Sequence, residues 1–419
     1  MLDHLFKAPH AIERWRSGVL GPHLDLFLRT ISDLGYRPQT IKGWLLVLRD
    51  LQGWLECNGF GLSDLEESLL ERFLDDRKRR RQREGKARTV VGVRAVYGLL
   101  DHLRQQGIVA KARSPIDRSP LALIRRRYDE YLRRTRGLSS ATLSRYWPIL
   151  KQFLVERFGN GPIRLCQLTP GDVSAFLLRH ARSISPGSAK LMVTVLRSFF
   201  RFLFQEGETK TDLSGAVPSI RTWWLAGLPK YLKPEDLQRV IDSCNDDLPV
   251  GRRDRALLLL IARLGLRASE VMALELDDID WQEGVLAVRG KGGYHDRLPL
   301  PVDVGHALVA YLRQDRPPCG TRRVFLRTKA PRRGLGHPST VSTIISRALD
   351  RAGLDPPLKG AHLLRHSLAT GMLQGGASMT KIGQILRHRN PNTTEIYAKV
   401  DIDGLRSIDR VWPTTGGAR

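Results

Sequence analysis

Cysteine is scarce in this 419-residue chain: Cys57, Cys166, Cys244 and Cys319 are widely scattered. They show neither metal-ligand spacing nor a disulfide framework, which excludes a stapled secreted scaffold and fits a reducing compartment. Long apolar runs are missing as well. The longest, Ala256 to Ala262, falls far short of the ~20 residues a membrane-spanning helix needs and reads as a core helix. The N-terminus carries charge from Asp3 onward and no signal-peptide pattern, so the expectation is a cytoplasmic protein without a membrane partner. Negative charge is also short: 43 Asp+Glu stand against 68 Lys+Arg, a formal net charge of +25. Such an excess implies a polyanionic partner, and nucleic acid fits better than a membrane surface. No RNA-binding aromatic motif is visible.

With 42% hydrophobic residues the chain can bury several cores, and its length suggests about three domains. The first half is helical by period and contains an internal repeat. Thr40, Leu48, Leu51, Asn58 and Gly59 align with Thr142, Leu150, Phe153, Asn160 and Gly161 at one constant offset. Further on, Leu65, Phe73 and Leu74 align with Leu168, Phe176 and Leu177. Val96, Leu99, Leu100, Leu103 and Gly107 then align with Leu196, Phe199, Phe200, Leu203 and Gly207. Apolar positions matched at helical spacing mean that both copies bury the same helix faces. Each copy therefore reads as a small bundle of about four helices. The third unit changes character. Helices are predicted from Pro234 to about Cys244 and from Arg252 to Leu264, and short strands over Val285 to Val288 and Arg297 to Leu300. The fold class expected is mainly α: two tandem helical bundles, then a mixed α+β domain with a small sheet. The domain bounds expected are 1–112, 119–215 and 228–412.

The last third carries a cluster of basic residues suited to phosphate. Arg267 lies in Gly265-Leu266-Arg267-Ala268-Ser269-Glu270, and Lys291 in Gly290-Lys291-Gly292-Gly293. His362-Leu363-Leu364-Arg365-His366 follows, then Leu386-Arg387-His388, and Tyr397 nine residues later. A guanidinium stays charged and can bind two phosphate oxygens at once, which suits Arg267 and Arg365 to neutralising a phosphodiester before attack. His362 and Arg365, three apart on a helix, share a face and can point at one phosphate. A tyrosine hydroxyl, with a reference pKa of about 10, needs that help to act as a nucleophile. His362 and His366 also stand four apart, as in a metalloprotease helix. However, Leu363 stands where such a helix needs Glu, so no metal is expected. The glycines around Lys291 lack the Gly-Lys-Ser/Thr end of a nucleotide-binding loop.

In this order and these settings the residues resemble those of the tyrosine recombinase (phage integrase) family, over roughly Leu228 to Ile408. The resemblance implies that Arg267, Lys291, His362, Arg365, His388 and Tyr397 are catalytic. It implies that Tyr397 attacks double-stranded DNA to form a 3′-phosphotyrosyl link, with Lys291 delivering a proton to the departing 5′ oxygen. Glu270 matches an acidic position that orients active-site groups. The bond energy is kept in the covalent intermediate, so neither ATP, metal nor other cofactor is required. The second bundle resembles the family's SAM-like core-binding domain, and the first is then an extra module of the same kind. The family usually has Gly where Arg387 stands. The resemblance also implies a tetramer on DNA, two dimers in synapsis. A bacterial mobile-element recombinase, working at the nucleoid and in some cases beside sibling recombinases, is the biological role expected.

Two other readings share these features: a type IB topoisomerase and a catalytically inactive, recombinase-derived DNA-binding regulator. The tandem bundles speak against the first, and the complete catalytic set against the second. Two basic runs, Arg77-Lys78-Arg79-Arg80-Arg81 and Arg125-Arg126-Arg127, are candidate DNA contacts, because a solvated charge run in so basic a chain can also meet phosphate.

Overall fold

A computed structural model describes residues 9–85, 91–110, 117–159, 161–220, 228–290 and 295–400, with side chains from residue 12 onward apart from those of Arg14 and Val91. The chain divides into two compact units: residues 113–226 form one, and residues 1–112 with 227–419 form the other. Among the described residues, no helix is long and apolar enough to cross a membrane.

The repeat reappears element by element. The first copy follows a short helix α1 (Pro9–Arg16) and contains α2 (Gly21–Asp33), α3 (Pro38–Cys57), a 3-10 turn, α4 (Glu67–Arg83) and α5 (Val91–Gln105). The second contains α6 (Pro120–Arg136), α7 (Ser140–Phe158), a 3-10 turn, α8 (Pro170–His180) and α9 (Pro186–Gln205). Matched positions are buried in both. Leu48, Leu51, Phe73, Leu99 and Leu103 lie in the core of one bundle, and Leu150, Phe153, Phe176, Phe199 and Leu203 in the core of the other. Even a polar brace is repeated: Arg77 Nε donates to Asp50 at 3.0 Å in the first copy. At the corresponding positions of the second, His180 Nε2 lies 3.4 Å from Gln152 and 2.7 Å from Glu156. Asn160, one of the aligned pair of helix stops, lies outside the described residues. The second bundle is the more strictly capped. Ser119, Thr169 and Ser185 each accept a backbone N–H at 3.3 Å, and Ser139 one at 3.4 Å, at the start of its four helices. Each supplies an acceptor for a donor that the first helical turn leaves unpaired.

The remaining domain is built around α11 (Pro249–Leu264), which packs against α10 (Pro234–Asp242), α13 (Val302–Gln314) and α15 (Ala361–Gln374). Its run Ala256 to Ala262 is buried throughout, as expected of a helix apolar on every side. The short α12 (Ala268–Ala273) and α14 (Pro338–Arg351) close one flank. The sheet is an antiparallel meander of β1 (Ile279–Asp280), β2 (Val285–Arg289) and β3 (His295–Pro299), with Arg289 opposite His295 at its end. Leu286, Val288 and Leu298 turn inward to the core. Residues 290–294 join β2 to β3, so Lys291 belongs to that connection in sequence but lies outside the described residues. Beyond α15, α16 (Met379–Ile385) and two 3-10 turns, Pro391–Thr393 and Glu395–Val400, enclose a small satellite core of Ala369, Ile382, Leu386 and Tyr397. Asn390 caps the first turn by accepting the Asn392 N–H at 3.0 Å. This domain shares its compact unit with the first bundle, and the Arg332 N–H donates to the Leu34 carbonyl at 2.7 Å.

Candidate active site

Three chain segments meet where α11 ends. Gly265 terminates α11 in the left-handed region at φ +59°, and two residues later Arg267 opens α12. Its backbone N–H donates to Glu270 Oε2 at 2.8 Å and its guanidinium to Glu270 Oε1 at 2.5 Å. One carboxylate thus fixes both ends of the arginine. Arg365, on α15, is buried at 5% exposure, and its guanidinium donates to the carbonyls of Gly265 and Leu386. It therefore ties the segment that carries Arg267 to the segment that carries His388. His388 Nδ1 lies 2.9 Å from Thr394 Oγ1, which anchors that ring to the turn leading to Tyr397.

A cleft of about 200 Å3 opens here, lined by Arg267, Ser342, Lys359, Gly360, His362 and Arg365 among others. Two guanidiniums and an imidazole on one small cavity suit it to an anion. A larger cavity of about 590 Å3 lies elsewhere, beside Gln238 and His306. Its arginines are already matched: Arg252 with Asp315, Arg255 with Asp242, and Arg263 with Asp303.

The electrostatics of the first cleft follow from its burial. Desolvation, then repulsion from Arg267 and Arg387, lowers the Arg365 pKa to about 10, still charged at neutral pH. The His362 ring keeps solvent access, yet partial desolvation, followed by the charges of Arg365 and Arg267, holds its pKa below the ordinary histidine value. Desolvation and the same two arginines push His388 down to about 4. Burial raises Tyr397 to about 12 against the opposing pull of Arg365. Burial also works to raise Glu270, but the Arg267 N–H and the charges of Arg387 and Arg267 outweigh it and leave the carboxyl ionised below its usual range.

Of the residues picked from sequence, Arg267, Glu270, Arg365, His388 and Tyr397 share this corner, and His362 lines the cleft beside Arg267 and Arg365. Lys291 lies outside the described residues. Two participants were not picked. The first is His366, whose Nδ1 lies 2.8 Å from the Tyr397 hydroxyl; its position in His362-Leu363-Leu364-Arg365-His366 was the available signal. The second is Arg387. It occupies the left-handed region at φ +54°, a conformation that glycine adopts without penalty. Its guanidinium folds inward to 6% exposure and donates to Glu270 Oε2 at 2.8 Å and to the carbonyls of Leu264, Gly265 and Ile385. Glu270 is thus shared between Arg267 and Arg387.

The basic runs are more heavily paired than their charge suggests. Arg77 and Arg80 both face Asp50. Arg127 donates to Glu206 and Glu208, and Arg125 lies near Asp129 and over the Trp147 ring. Arg126 reaches the Asp117 carbonyl at 3.5 Å. Lys78 and Arg79 are exposed, whereas the Arg81 Nε is buried without a hydrogen-bond partner.

Comparison with known proteins gives a consistent answer. Residues 230–403 match the model of the phage integrase family, and residues 126–207 that of the phage integrase N-terminal SAM-like domain. The chain is 40% identical to the putative integrase/recombinase y4rA of Sinorhizobium fredii, over 98% of this chain and 99% of that one. It is 32% identical to the tyrosine recombinase XerD of Mycobacterium tuberculosis, over 69% of this chain and 96% of that protein. Among solved structures, XerH recombinase bound to a palindromic difH substrate in a post-cleavage complex aligns with a TM-score of 0.55 and 20% identity. That alignment covers 71% of this chain and 90% of XerH, and it shows a shared fold.

Proposed function

This chain belongs to the phage integrase family of tyrosine site-specific recombinases, and on that premise we propose how its residues divide the work. A phosphodiester of double-stranded DNA enters the cleft, where Arg267 and Arg365 hold its two non-bridging oxygens. His362 and His388 add donors as charge builds on the pentacovalent phosphorane, and fixed donors stabilise that state more than the substrate. The Tyr397 oxygen attacks phosphorus, the bond to the 5′ oxygen breaks, and Lys291 protonates the departing oxygen. A free 5′ hydroxyl from the partner duplex later reverses the sequence. Glu270 keeps Arg267 in place and touches no DNA. The observation that supports this reading is the Arg365 guanidinium, which lines the cleft beside Arg267 and His362 and donates to the Gly265 and Leu386 carbonyls, tying the segment of Arg267 to the segment of His388.

At larger scale, residues 119–215 serve as the core-binding domain and 228–412 as the catalytic domain, with 1–112 an additional helical module. Lys78, Arg79 and Arg126 are the strongest of the basic-run residues as phosphate contacts, since each is exposed. Exchange between two duplexes requires four strand cleavages, one tyrosine for each, which calls for a tetramer of two synapsed dimers. The full-length likeness to a putative integrase/recombinase supports integration, excision or transposition of a bacterial mobile element as the role. Such work takes place on the cytoplasmic nucleoid, and sibling recombinases are candidate partners.

The test is covalent trapping on a nicked suicide DNA. The wild-type chain should leave a protein–DNA adduct, and Tyr397→Phe should bind the same DNA without one. An adduct formed by the Phe variant would remove Tyr397 from its role.

A further inference from the structure

The Tyr397 hydroxyl is surrounded by few polar groups. It belongs to a satellite hydrophobic core with Ala369, Ile382 and Leu386, and is 1% exposed. The Arg365 charge acts on its oxygen from one direction, and the His366 ring meets it edge-on, Nδ1 at 2.8 Å, with ring centroids 5.6 Å apart. We propose that His366 is the base of the cleavage step: its Nδ1 accepts the hydrogen bond from Tyr397 and takes the proton as the phenol oxygen attacks phosphorus. This rests on the reading of Tyr397 as nucleophile.

The step balances. The Tyr397 O–H bond breaks and the proton moves to Nδ1, the oxygen–phosphorus bond forms, and the bond to the 5′ oxygen breaks with a proton from Lys291. On rejoining, the His366 proton returns to the phenol. The local chemistry suits an acceptor. His366 is pushed down to about 4 by desolvation, then by His362 and Arg365, so its ring is neutral at physiological pH, and its Nε2–H tautomer presents a lone pair on Nδ1 to the hydroxyl. The groups facing it are His362 and Arg365 from its own helix, His388 from the segment after α16, and Tyr397 from the last 3-10 turn. All are cationic or neutral, so the free enzyme disfavours a His366 cation. A phosphodiester anion in the adjoining cleft reverses that balance and lets the ring hold a proton when it is needed. Of the three histidines in this corner, His366 is the one in hydrogen-bond contact with the tyrosine; His388 is engaged with Thr394.

Single-turnover cleavage of nicked suicide DNA, measured from acid to alkaline pH, separates a base from a positioning group. His366→Asn places an amide oxygen where Nδ1 stood and keeps an acceptor for the hydroxyl, but cannot take a proton. It should bind DNA as wild type does and cleave about 100-fold slower, the lower range for a lost general base. Its rate should climb with pH where wild type has levelled off. A rate within a few-fold of wild type, or a slow variant that keeps the wild-type acid limb, would overturn the proposal. If His366→Asn does not melt cooperatively, wild-type chain carrying fluorotyrosine at position 397 decides instead. An acid limb set by His366 stays in place when the phenol is made more acidic, and one that moves with the phenol overturns the proposal. The Tyr397→Phe adduct assay runs on the same DNA, so loss of the nucleophile assignment is seen separately.

Discussion

Arg365 holds two carbonyls with a single side chain and, in the proposed mechanism, a phosphate as well, which makes it costly to lose. Truncation to Ala leaves the Gly265 and Leu386 carbonyls without their donor and removes a fixed charge from the developing phosphorane. Arg365→Ala should therefore lose on the order of 3 kcal/mol or more in cleavage, the usual cost of an oriented donor at developing charge. Binding should weaken far less, because other phosphate contacts persist; quench-flow cleavage set against filter binding measures both. A cleavage rate within a few-fold of wild type would show the arginine to be structural. The neighbouring histidines make a second, pH-dependent contribution. His366 and His388 titrate near the ordinary 6.5 when unfolded and near about 4 when folded, so between those values the unfolded chain binds more protons. Stability from these two groups is present above about pH 6.5 and is lost as pH falls towards 4. The urea midpoint should drop over that window, and His366→Asn should drop less steeply than wild type. Equal slopes would mean that His366 does not contribute.

At the scale of elements, the helix–turn–helix junction at Gly265 sets the geometry of the site. Its φ of +59° is one that L side chains rarely adopt, and an added Cβ would sit 2.8 Å from the Leu386 side chain and 3.2 Å from that of Leu368. Gly265→Ala should thus strain the backbone by about 1 kcal/mol or more and displace the segment whose carbonyl anchors Arg365. Gly284→Ala, at φ +62° with nothing within 4 Å, is the matched control, with similar backbone strain and no neighbour to push. Thermal melts should show both variants destabilised, while cleavage should fall for Gly265→Ala alone; equal cleavage would separate this junction from catalysis. The elements themselves were largely legible in the sequence. Helix period exposed both bundles, glycines marked the β2–β3 connection, and the Ala256 to Ala262 run is the buried helix it promised. What the sequence could not reveal are pairings across distance. His366 meets Tyr397 31 positions away, and periodicity on one helix does not report a partner on another. Arg387 read as a departure from glycine, since nothing local announced that its side chain would turn in to Glu270, 117 positions away. The Arg125 to Arg127 run looked free until Glu206 and Glu208, about 80 positions on, were seen to pair with Arg127.

At the scale of the whole molecule, the chain carries another helical bundle of the same design ahead of the proposed core-binding domain. The first bundle repeats the element order and the buried positions of the second, down to the brace between its second and third helices. It ends its third helix with Lys78 and Arg79 exposed, in a chain of net charge +25. Among the described residues, none of the first bundle lines the proposed catalytic cleft, whose lining runs from Leu266 to Arg365. It shares a compact unit with the catalytic domain, and the Leu34 carbonyl accepts the Arg332 N–H. If the first bundle shares the DNA-gripping role proposed for the second, it is placed to extend that grip, by reaching DNA outside the core site or a neighbouring protomer in synapsis. A chain beginning at Ser114 should still form covalent adducts on a core site, because every catalytic residue is retained. Its footprint should be shorter or its synapsis poorer, by nuclease protection and by recombination of two-site substrates. A folded, soluble truncation with unchanged footprint and recombination would defeat this assignment. If the truncated catalytic domain melts well below the full chain, the contact at Arg332 is instead a structural support, and the first bundle's role is to cover that surface.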